Sequence, residues 1–144
     1  MATEDDLRLR HLADVQAVIE RLSQHSFVIR GWSVTLVSVV FAILSTRERT
    51  QSWPVLIALA PALVFWILDA YYLRQERLYR CLYLAAGRRL TDGEAGPDVA
   101  PFDMDVSRYS SHVRSFTRTL FASHVLAIPA MLTVLIVTYH LAMR

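Results

Sequence analysis

Three stretches of this chain, residues 31–46, 50–68 and 119–143, contain no Asp, Glu, Lys or Arg. They take up 60 of the 144 residues, so every charged side chain falls among the other 84. A helix at a soluble surface shows charge on its wet face every turn or so, whereas crossing the hydrocarbon of a bilayer takes about 20 consecutive apolar residues. The pattern implies three membrane spans. It excludes a soluble enzyme domain, a secreted disulfide scaffold and a disordered tail.

Before the first stretch, Leu12, Val15, Ile19 and Leu22 recur at steps of three and four among charged residues, which marks one face of an amphipathic helix. No Gly or Pro precedes Gly31, so nothing separates this helix from span one. The link from Arg47 to Pro54 is short enough to force spans one and two into an antiparallel hairpin, with Trp53 at the interface. Span two runs through Pro61 to Asp69, Tyr71 and Tyr72, and its helix should continue through the pair Glu76 and Arg80 to a stop near Gly87. Residues 90–104 read as a solvated acidic connection. Helical spacing resumes at Val106, Tyr109, Val113, Phe116 and Leu120, with Asp103 or Asp105 as N-cap, and leads straight into a third span that Pro129 bends.

The expected fold is an all-α integral membrane protein whose three transmembrane helices extend into a cytoplasmic helical stalk. Residues 1–28 form a cytoplasmic amphipathic helix continuous with span one at 29–46, an outer loop follows at 47–52, and span two occupies 53–70. A cytoplasmic helix and acidic turn cover 71–104, a further cytoplasmic helix covers 105–118, and span three occupies 119–143. Twelve Arg flank the spans on the side of the N-terminus and the long connection, against three, Arg47, Arg49 and Arg144, on the other. The positive-inside rule puts the N-terminus in the cytoplasm and the C-terminus outside, in a bacterial inner (plasma) membrane. Glu4, Asp5 and Asp6 stand where a signal peptide would be basic, so the N-terminus is expected to remain in the mature protein.

Few residues suggest chemistry. Arg30 and Asp69 lie equally far from the hairpin turn and should meet as an ion pair, either fixing hairpin register or gating an ion path. Gly31, Thr35, Ser38, Ala42 and Ser45 form a stripe of small side chains along span one, suited to close helix packing or to lining a narrow pore. Thr119, Ser123, Ala127, Ala130 and Thr133 repeat that pattern in span three. Arg74, Arg77, Arg80, Arg88 and Arg89 are candidates for contact with anionic headgroups or with a phosphorylated ligand. All fifteen basic residues are Arg; coding bias accounts for that choice, although Arg also forks onto phosphate as Lys cannot. His124 and His140 are too far apart on one helix to share a metal, and Cys81 is the single cysteine. No hydrolase, metalloprotease or phosphate-loop signature is present, so no catalytic residue, metal or cofactor is expected, and no nucleic-acid partner.

The stretch from Phe65 through Asp69, Tyr71, Tyr72, Arg74 and Arg77 to Tyr79, followed later by Pro101-Phe102-Asp103-Met104-Asp105, resembles a recurrent signature of small bacterial membrane proteins. The layout of amphipathic helix, tight hairpin, basic helix, acidic turn and late third span resembles SLATT-type effectors and RipA-type octameric membrane proteins. That resemblance implies a homo-oligomer surrounding a pore or central cavity, which acts as a membrane-perturbing effector in antiphage defence and is opened by a cytoplasmic partner or signalling ligand. The alternative is a non-conducting membrane anchor or scaffold that recruits a cytoplasmic partner through the N-terminal helix.

Overall fold

The computed structural model describes residues 3–45, 59–92 and 98–142. Among them the ordered elements are all helical: α1 (Glu4–Ser45), α2 (Leu59–Asp92), a 3₁₀ turn (Ser107–Tyr109), α3 (Phe116–Leu120) and α4 (Ser123–Ala142). The outer loop at 47–52, the anchor Trp53 and the first residues of the expected span two lie outside the described residues. The chain divides into two compact units, one from residues 1–24 and 72–115 and the other from 25–71 and 116–144.

The start of α1 follows from its first four residues. The Thr3 hydroxyl accepts the Asp6 amide at 3.3 Å, and the Asp6 carboxylate accepts the Thr3 amide at 3.0 Å, a reciprocal cap. Three acidic residues in the first turn suit the positive end of the helix dipole. The helix then runs unbroken past Gly31, where a Cβ would meet open space.

In the first unit, Val15 and Ile19 of α1 pack with Leu82, Ala85 and Ala86 of α2 and with Val99, and Leu12 and Tyr79 flank them. This is the apolar face that the steps of three and four mark out. Two expectations need correction here. First, α2 does not stop near Gly87 but continues to Asp92, since Gly87 remains helical and the Thr91 hydroxyl donates to the Arg88 carbonyl at 3.2 Å. Second, the acidic connection is not simply solvated: Val99 is buried in the core, and Met104 and Val106 pack against it.

Over residues 105–118, expected as one helix, the backbone is helical only in the turn Ser107–Tyr109 and where α3 begins at Phe116. The Asp103 carboxylate accepts the Asp105 amide at 2.9 Å, and the Asp105 carboxylate accepts the Ser107 amide at 2.8 Å. These successive side-chain turns compete with helical backbone bonding. What remains is one 3₁₀ turn, which swings Tyr109 against the core, and then irregular backbone until α3. Nor does α3 lead straight into α4, because the chain steps at Phe121 and Ala122 before α4 begins.

In the second unit, Val37, Ala62, Leu132 and Ile136 make the core, bordered by Phe41 and Tyr139, whose rings meet edge to face at 5.1 Å. Trp66 donates its indole N–H to the Leu120 carbonyl at 3.0 Å and meets the Phe121 ring edge-on. Pro129 lies inside α4, where it has no amide to offer the Val125 carbonyl, and the Thr133 hydroxyl donates to the Pro129 carbonyl at 2.7 Å. Among the described residues two helices, α1 and α4, are long and apolar enough to cross a membrane.

Polarity in this unit is inverted relative to a water-soluble bundle. Ser26, Ser33, Asp69 and Thr119 are buried, while Phe27, Trp32, Val64, Ile67, Met131 and Val134 are exposed. Burying hydroxyls and a carboxylate while leaving large apolar side chains outside is costly in water, and it is the expected arrangement in lipid.

Candidate functional site

Asp69 is the polar centre of the second unit. Its carboxylate accepts the Arg30 Nε–H at 2.9 Å through Oδ2 and a close hydrogen bond from the Ser26 hydroxyl through Oδ1. Ser26 and Arg30 are four residues apart and share one face of α1, so a single carboxylate from α2 bridges a full helical turn. The adjoining cavity, between Arg30, Ser33, Trp66, Asp69 and Pro129, measures about 10 Å³, at the lower limit for one water molecule. This volume suits a packed register device and leaves no room for a ligand.

The described side chains of the small-residue stripe lie on the exposed face of α1. Gly31, Thr35, Ser38 and Ala42 are exposed, and the buried face of α1 is instead Ser26, Ile29, Ser33 and Val37. The buried face of α1 therefore mixes small and large side chains. Thr35 donates to the Gly31 carbonyl at 3.0 Å and Ser38 to the Val34 carbonyl at 2.8 Å, so both hydroxyls are satisfied within α1. The Ser45 side chain lies outside the described residues. In the second stripe Thr119 is buried, whereas Ser123, Ala127 and Ala130 are exposed.

The Arg set divides. Arg80 grips Glu76 Oε1 through Nε at 2.9 Å and Nη2 at 2.7 Å, as their spacing implies. Arg77 and Arg80, together with Cys81, form one wall of an open groove of about 440 Å³; His112, Val113 and Arg114 form the other. Arg74 is half-buried, with its Nε shielded and without a hydrogen-bond partner. Arg88 and Arg89 lie near the end of α2 and do not line the groove.

One residue escaped the sequence reading. His11 is 2 % exposed, its Nδ1 accepts the Phe102 amide at 3.2 Å, and its Nε2 is buried without a partner. Phe102 is held at a φ of 65°, a conformation that L side chains rarely adopt. Burial lowers the His11 pKa, against smaller upward pulls from Asp103 and Asp14. Its signal was the four-residue step from His11 to Val15 to Ile19, which extends the buried face by one turn. Among the described residues no cluster of His, Cys, Asp and Glu is suited to a metal ion. Comparison with protein-family models, with characterised proteins and with solved structures finds none that matches this chain.

Proposed function

We propose that this chain is an integral membrane protein that crosses the bilayer three times, assembles with copies of itself around a common axis and acts as a gated pore or membrane-disrupting effector. The observation that carries this reading is the outer surface of the second unit. There, large apolar side chains and the small-residue face of Gly31, Thr35, Ser38 and Ala42 are both exposed, while Ser26, Ser33, Asp69 and Thr119 are inside. Lipid accounts for the large side chains, and close approach of a second copy accounts for the small ones. Assembly by a closed rotation would repeat the Thr35 and Ser38 faces around one axis, the geometry of a narrow lining. The distribution of Arg supports a bacterial inner membrane location with the N-terminus inside. The resemblance to SLATT-type and RipA-type proteins supports a role in antiphage defence, opened by a cytoplasmic partner or ligand.

The test is ion flux through proteoliposomes of the purified protein, with Thr35→Leu and Ser38→Leu as blocking variants. Conduction that both substitutions reduce, with assembly intact, supports the pore; no flux at any protein density refutes it. A second reading, a non-conducting anchor that recruits a cytoplasmic partner, draws on the internal bonding of the Thr35 and Ser38 hydroxyls, which need no water. Under it, deleting residues 1–24 abolishes recruitment and the two leucine substitutions act only on assembly.

A further inference from the structure

The groove of the first unit brings together side chains that the sequence keeps more than thirty positions apart. Arg77 and Arg80 sit three residues apart on α2, so their guanidinium groups leave the same face. Arg114 and His112 come from the irregular backbone that replaces the expected helix. His112 is held in place from both sides: its ring meets Tyr109 at 6.3 Å, and its Nδ1 lies 3.4 Å from the Ser111 hydroxyl. Tyr109 in turn packs on the core of the unit, so this wall is anchored.

Three guanidinium groups on one groove repel one another, and Arg80 grips the neighbouring carboxylate of Glu76. That pair uses Nε and Nη2 of Arg80, leaving the Nη1 donors outside it. Such a concentration of like charge is stabilised when an anion fills it. Planar guanidinium forks match the oxygens of phosphate in particular. The volume of about 440 Å³ falls within the range of about 300–1,000 Å³ common to ligand sites.

We infer that the groove walled by Arg77, Arg80, His112 and Arg114 binds a phosphate group, carried by a phospholipid headgroup or by a soluble phosphorylated ligand. The site does not rest on the pore reading, and only its headgroup source rests on a membrane location. Two positions favour the headgroup: Arg77 follows the uncharged stretch 50–68 by nine residues, and Arg114 precedes α3 by two. Arg88 and Arg89, equally basic, serve as controls because they stand apart from the groove.

Cys81 lines the groove and is the sole cysteine of the chain, so its alkylation by an uncharged maleimide reports occupancy. The full chain is assayed in detergent with inorganic pyrophosphate, against sodium chloride of equal ionic strength, and in nanodiscs of phosphatidylcholine with and without phosphatidylglycerol. At a ligand level of ten times Kd, alkylation slows about tenfold. Slowing by pyrophosphate identifies a soluble ligand; slowing only in phosphatidylglycerol discs identifies a headgroup. The Arg77→Gln/Arg114→Gln double variant, with helix content and unliganded alkylation rate unchanged, loses protection, with affinity weakened about tenfold or more for each guanidinium removed. The Lys versions recover part of it, and Arg88→Gln/Arg89→Gln keeps it. Equal rates in every arm, or protection that survives in the double Gln variant, would overturn the assignment.

Discussion

Removing Arg30 should destabilise the protein more than removing Asp69, although the two form one ion pair. The Asp69 side chain is 6 % exposed and that of Arg30 is 33 % exposed. In Arg30→Leu the carboxylate stays buried with only the Ser26 hydroxyl as donor, and stranding one partner of a buried pair costs about 3–5 kcal/mol. In Asp69→Asn the partly exposed guanidinium can turn outward, and the loss is a charged hydrogen bond worth about 1.5–3 kcal/mol. The double variant Arg30→Leu/Asp69→Leu removes both charges and leaves Ser26 free to bond a carbonyl of its own helix, so it should regain most of the Arg30→Leu loss. Denaturant titration in detergent micelles, followed by far-UV circular dichroism, measures all three against wild type. Arg30→Leu within about 0.5 kcal/mol of wild type, or a double variant no better than that single one, would refute the reasoning.

The first unit should lose stability in mild acid. Because burial holds the His11 pKa below its ordinary value of 6.5, the folded state refuses a proton that the unfolded chain accepts. Stability is full above about pH 6.5 and falls as pH drops toward the folded value, with faster amide exchange at Phe102; His11→Leu should flatten that dependence, and an unchanged slope counts against it. In the second unit, Ile136→Ala should cost about 2–5 kcal/mol by leaving a cavity in the core, whereas Val134→Ala, on the outer face, should stay within about 0.5 kcal/mol. Comparison of their unfolding midpoints decides it, and the reverse order would mean the faces are misassigned. Trp66→Phe keeps the ring contact with Phe121 but gives up the bond to the Leu120 carbonyl, for a loss of about 1 kcal/mol in the same titration.

Long-period features could be read from the sequence, whereas short-range competition could not. The continuous α1 follows from the absence of Gly and Pro before Gly31, and the meeting of Arg30 with Asp69 from counting equal distances on either side of a turn. Both depend on regular helical geometry. The failure over residues 105–118 is of another kind: Val106, Tyr109 and Val113 have helical spacing, but Asp103 and Asp105 spend their carboxylates on nearby amides, and periodicity does not register that contest. Gly87 misled in the opposite direction, because a glycine with open space around it costs a helix only about 1 kcal/mol. The groove was half visible. Arg77 and Arg80 stood out as charges near a span, but their partners His112 and Arg114 reach it through backbone that no periodic pattern describes.

The exposed apolar surface of the second unit also bears on how the molecule responds to heat and cold. Under the proposed topology the core around Val15 and Leu82 in the first unit draws its cohesion from water, so separating α1 from α2 there should raise the heat capacity, and that packing should weaken on cooling. With lipid around the second unit, parting Val37 from Ile136 exchanges one apolar surrounding for another and leaves heat capacity nearly unchanged. Both units are threaded by α1 and α2, so one chain would carry two temperature dependences. Cooling would loosen the packing built on Val15 while leaving the bond between Arg30 and Asp69 intact.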